Sequence, residues 1–207
     1  MSRLRILVLA RAANPESISL NLEGYSHSEA LAQLNAVTLV TRSCNEEALC
    51  RTQAPFHAIE AIKMPWLEAL YAWSIRRIFN YNYHSRALTP LLYPFSLAFE
   101  WRAWRRMRIR IIAGEFDVVL RLLPANPVLP SPFPSFQRNC SIPFVIGPPN
   151  SGLPWPPGFS QLKKQRERIA GPGNLYRFLR FARSTNRHAT AIMATLFISA
   201  LKESSRL

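Results

Sequence analysis

Few side chains in this sequence could do acid-base, nucleophilic or metal chemistry, and they do not cluster. Asp117 is the single aspartate beside eleven glutamates, so an Asp-x-Asp pair able to hold a divalent cation cannot be built. A Ser-His-Asp triad would have to use Asp117, which sits at the head of the apolar run VVLRLL, where backbone pairing is its natural company. His27, His57, His84 and His188 include neither His-Glu-x-x-His nor a pair at helical spacing. Cys44, Cys50 and Cys140 have the spacing of neither a zinc knuckle nor a redox pair and read as reduced, partly buried thiols. No catalytic residue, no metal and no cofactor is assigned from these residue types.

Loops rich in glycine and proline are more specific. The string IGPPNSGLPWPPGF, residues 146–159, follows an apolar run; Gly147 and Gly152 allow a backbone to approach a ligand, and the intervening Pro148, Pro149, Asn150 and Ser151 complete a stiff candidate cleft wall. PANPVLPSPFP, residues 124–134, carries five prolines and is expected to be extended or turned rather than helical. RAANPESISLNLEG, residues 11–24, is a third candidate loop, with one glycine, Gly24. A dinucleotide fingerprint needs three glycines at fixed spacing, so NAD binding is a weak reading.

Short, mostly unalternating apolar runs must position these loops: Ile6–Ala10, Val37–Thr41, His57–Ile62, Val118–Leu123, Pro143–Ile146 and Ala191–Thr195. Such runs suit strands covered on both faces. Between them Ser28–Leu34, Pro65–Asn80, Leu91–Gly114, Gln161–Ala170 and Asn174–Arg187 suit crossover helices. The fold class is α/β, a single Rossmann-like open and mainly parallel sheet with helices on both faces. At 207 residues with 48% hydrophobic content, the chain can bury one core. Residues 1–195 are read as that domain and 196–207 as a tail. The opening apolar run is too short for a secretory signal, and the closing one, Ala189–Leu201, is too short to span a bilayer.

The sequence resembles the amino-terminal domain of family 4, two-domain (GT-B) glycosyltransferases. The resembling segments are RILVLA, EFDVVLRLLPANPVLPSP at 115–132, PFVIGPPNSGLPWPPGF at 143–159 and NLYRFLRFARSTNRHATAIMAT at 174–195, in the family's order. The resemblance implies two facing Rossmann domains, the first holding the acceptor and the second most of a nucleotide-sugar donor. It further implies retaining, metal-independent hexosyl transfer to an acceptor hydroxyl, the acceptor being a glycan or lipid-linked. Gly24, Arg121 and Gly147 to Gly152 are then cleft residues, Arg121 as a forked phosphate donor or as the partner of a carboxylate such as Glu115. The sequence departs from the family in three places. The donor-side Glu-x7-Glu element is absent, Leu120, Arg121 and Leu122 stand where a histidine is common, and Ser151 replaces a glycine. The expectation is half of an active site, incomplete or inactive alone: a truncated gene product or one half of an enzyme completed by a second-domain chain.

Twenty-six Lys and Arg against twelve Asp and Glu give a net charge of +14, which demands an anionic partner. Arg102, Arg105, Arg106, Arg108 and Arg110 crowd a segment whose Trp101, Trp104, Met107 and Ile111 share one apolar face; Lys163, Lys164 and the arginines of 166–187 form a second belt. Arg102, Arg105, Arg106, Lys163 and Lys164 are the candidate contacts to an anionic membrane surface, at the inner face of the membrane of a cytoplasmic protein. A noncatalytic basic domain that binds such a surface or nucleic acid is the alternative function. Nucleic acid is the less favoured partner, because Leu175, Phe178, Leu179 and Ala182 are spaced to face a core.

Overall fold

The computed structural model describes residues 3–77, 93–123, 130–147 and 190–192. Among the described residues six strands form one parallel sheet: β1 (Arg5–Ala10), β2 (Ala36–Arg42), β3 (Ala58–Ile62), β4 (Val118–Leu123), β5 (Phe144–Ile146) and the two-residue β6 (Ala191–Ile192). Their order is β3-β2-β1-β4-β5-β6, with every neighbouring pair parallel. This is the doubly wound Rossmann order, and its reversal of direction falls between β1 and β4.

Alternate residues of the central strands feed two cores. Ile6, Val8, Leu120 and Leu122 pack on one face beneath α1 (Leu20–Leu34) and α2 (Glu46–Arg51), with Tyr25, Ala32 and Leu49. Leu7, Leu9 and Val119 pack on the other with Phe99, Ala103, Met107 and Ile111 of α4 (Tyr93–Ile112). Burial of each such side chain contributes roughly 1.5–3 kcal/mol, so strands apolar at every position are held from both sides. The other α-helices among the described residues are α3 (Pro65–Arg77), which opens on a proline whose missing N–H needs no partner there, and the single turn α5 (Phe133–Phe136).

Three expectations need correction. Residues 20–24 belong to α1 and not to the loop after β1, because Leu20 begins the helix. The proline-rich 124–134 segment is not wholly extended: Pro132 caps α5 and Pro134 lies in its first turn, where proline is tolerated. Trp101 does not share the buried face of α4. It is 46% exposed, and that face instead runs through Ser96, Phe99, Glu100, Ala103, Met107 and Ile111. The stretches 161–170 and 174–187 lie outside the described residues.

Candidate functional site

In an open parallel sheet the ligand crevice lies beyond the carboxyl ends of the strands at the reversal point. β1 is apolar through Ala10 and is followed by Arg11; β2 ends on Arg42. Their register, Arg5 with Ala36 through Leu9 with Val40, brings the two arginines to the same edge. The Arg11 carbonyl accepts from Arg42 Nε at 3.2 Å and from Asn45 Nδ2 at 3.3 Å, and Asn45 Nδ2 also reaches Thr41 Oγ1 at 2.9 Å. These bonds lock the turn beyond β1 to the end of β2.

Both guanidinium groups lie over one ring. The central carbons of Arg11 and Arg42 are 5.5 and 5.7 Å from the Tyr71 ring centroid, and Phe95 meets Tyr71 edge-on at 5.2 Å. Arg11 Nε is buried and meets no acceptor among the described residues; Glu68 Oε1, one turn before Tyr71 on α3, is buried and meets no donor among them. Burial and the like charge of Arg42 lower the Arg11 pKa, with Tyr71 opposing. Guanidinium groups remain cationic in proteins, so Arg11 stays charged near neutrality. Burial raises the pKa of the Cys44 thiol, Glu68 adds to the rise, and Arg42 and Arg11 oppose it. The edge therefore gathers two cations, one carboxylate and one thiol around an aromatic ring.

The residues singled out from sequence are dispersed. Gly24 is buried inside α1, where its carbonyl accepts from Ser28 Oγ at 2.6 Å. Arg121 is 2% exposed and its Nε donates to Glu100 Oε1 at 2.8 Å, so the carboxylate it meets is Glu100 rather than Glu115. Ser131 Oγ donates to the other oxygen of Glu100, tying β4 to α4 and the entry of α5. Gly147, with φ 140°, sits at the carboxyl end of β5 and donates its N–H to the Arg121 carbonyl at 3.0 Å. Few residues other than glycine adopt that backbone. Pro148, Pro149, Asn150, Ser151 and Gly152 lie outside the described residues, as do Lys163 and Lys164. Arg102 donates to the Lys63 carbonyl, Arg105 lies 5.0 Å over Trp101, and Arg106 pairs with Glu60 at 3.2 Å. The α4 arginines are thus partly occupied by their own protein.

Sequence reasoning missed Arg42 and named Arg11 only as the start of a loop. A usable signal was present: ILVLA and VTLVT each run directly into an arginine, and parallel strands of similar length end together. A pocket of about 300 Å³ with one charged lining side chain, Arg138, opens near Pro143 and Thr190, at the opposite, amino-terminal edge. Among the described residues no three His, Cys, Asp or Glu side chains gather as a metal site, and no helix is long and apolar enough to cross a membrane. No family model, curated protein or solved structure matches the chain.

Proposed function

We propose that this chain is the acceptor-side domain of a retaining GT-B glycosyltransferase, acting with a donor-side domain on a nucleotide-sugar. One observation carries the reading. The four segments that resemble family 4 enzymes, far apart in sequence, contribute β1, β4, β5 and β6, which are consecutive neighbours in the sheet. Being parallel, these strands end at one edge of the sheet beside the reversal point, where such a sheet binds ligand. Transfer there would draw on cleft electrostatics to stabilise the departing diphosphate. The test is release and transfer of sugar from a panel of nucleotide-sugars by the purified chain, alone and mixed with any separately encoded donor-side domain. Turnover in the mixture is expected; none in either sample overturns the proposal.

A second reading, peripheral docking on an anionic membrane face, is favoured by α3. Trp66, Leu70 and Trp73 are exposed at helical spacing on one side, with exposed Lys63, Arg76 and Arg77 at the helix ends. Apolar anchors flanked by cations suit an interfacial helix. Flotation with vesicles containing phosphatidylglycerol would be lost in the Trp66→Ala, Trp73→Ala double variant; unchanged flotation removes this surface from consideration.

A further inference from the structure

We propose that Arg11 and Arg42 form an oxyanion site that takes a phosphoryl group against Tyr71. Among the described residues the arginines with a carboxylate oxygen within 4.0 Å are Arg5, Arg51, Arg106, Arg110 and Arg121. Arg11 and Arg42 are outside that set. Among the described residues Arg42 spends only its Nε, on a carbonyl; Arg11 bonds the Tyr71 side chain, and its Nε is buried without an acceptor. Two cations held beside one another repel, and an anion between them converts the repulsion into two attractions. A guanidinium held over an aromatic ring can still offer its remaining N–H groups to a ligand, and these match phosphate oxygens in pairs. The position, at the ends of adjacent strands next to the reversal point, is where the fold delivers ligands. Glu68 limits the site, since a carboxylate on the same rim disfavours a highly charged occupant. That the phosphoryl group belongs to the sugar acceptor rests on the glycosyltransferase reading; binding of the anion does not.

Cys44 supplies an internal probe, because it is exposed and its thiol feels Arg42, while exposed Cys50 on α2 serves as the control. Alkylation of the full chain by anionic iodoacetate and neutral iodoacetamide is followed at each cysteine by mass spectrometry. The expected iodoacetate preference at Cys44 exceeds that at Cys50 by about threefold or more, the scale of one nearby charge in a wet site. Inorganic pyrophosphate removes the excess, and so does Arg42→Gln. If that variant fails to fold, Arg11→Lys, which keeps the charge but not the fork, must weaken pyrophosphate protection. Equal preferences at the two cysteines, unmoved by pyrophosphate, overturn the proposal. Methyl phosphate and phosphatidic acid vesicles separate the sources: protection by the first assigns a soluble phosphoryl ligand, protection by the second alone a lipid headgroup, and protection by neither overturns the site. Protection without nucleotide-sugar turnover refutes the glycosyltransferase reading and leaves this site standing; turnover without protection does the reverse.

Discussion

Arg121 and Arg11 stand on neighbouring strands of one sheet and have opposite fates. Arg121 pairs in register with Leu9, two positions before β4 ends, and projects to the face covered by α4, where Glu100 meets it. Arg11 lies just past the end of β1, beside Arg42, with no carboxylate within 4.0 Å among the described residues. Two residues along a strand separate a charge consumed by the fold from one left for a ligand. A buried pair binds its own partner so tightly that it has little left to offer a substrate. Cations at an edge have the reverse property: their mutual repulsion costs stability that an anion returns.

The largest expected effect lies on the buried side. Glu100→Gln leaves the Arg121 guanidinium enclosed without its counter-charge and should cost about 3–5 kcal/mol, read as a lower denaturation midpoint at unchanged slope. Replacing both members, Glu100→Leu with Arg121→Met, should recover much of that loss. A single-variant cost below about 1 kcal/mol would break the contrast, because Arg121 would then be no more committed than Arg11. Gly147→Val tests the point where the two regions meet, since Gly147 follows β5 directly and donates its N–H to the Arg121 carbonyl. Its φ of 140° should make the substitution cost about 1–3 kcal/mol; a cost near zero would mean that the turn relaxes freely.

At the edge, Arg11→Gln should change stability by no more than about 1 kcal/mol, because relief of repulsion offsets the lost ring contact. Glu68→Gln sharpens the comparison, since removing this carboxylate from the rim should strengthen pyrophosphate protection of Cys44 about two- to fivefold. Weaker protection would mean that Glu68 positions the arginines instead of competing with the anion.

These contrasts also mark what was legible in the sequence. ILVLA, VTLVT and VVLRLL announced buried parallel strands because every residue of such a strand is covered. The early start of α1 was hidden because Asn21, Gly24, Ser26 and His27 are weak helix formers; packing of Tyr25 and Ala32 holds that segment in place of propensity. Arg121 invited pairing with Glu115 by proximity in sequence, whereas the partner came from a helix 21 residues earlier. Spacing along a chain does not report which side chains a crossover brings together. Arg11 and Arg42 were readable only as strand ends, and only once the neighbouring strands were known.

The smallest effect comes from the amino-terminal edge, where a third arginine, Arg5, completes the comparison by pairing in the open. Asp117 accepts from the Arg5 backbone N–H at 2.7 Å and from Arg5 Nη2 at 2.7 Å, and these bonds lower its carboxyl pKa, side-chain bond first. A carboxyl group whose folded pKa is depressed contributes stability above its unfolded value, near 3.9, and loses it as pH falls through the folded value. Asp117→Asn should therefore lower the melting temperature slightly at neutral pH, and the two proteins should converge below about pH 4. Both side chains are substantially exposed, so salt should shrink the neutral-pH difference while leaving the Glu100→Gln defect in place. If salt erased both differences equally, burial would not be what separates Arg121 from the arginines at the edges.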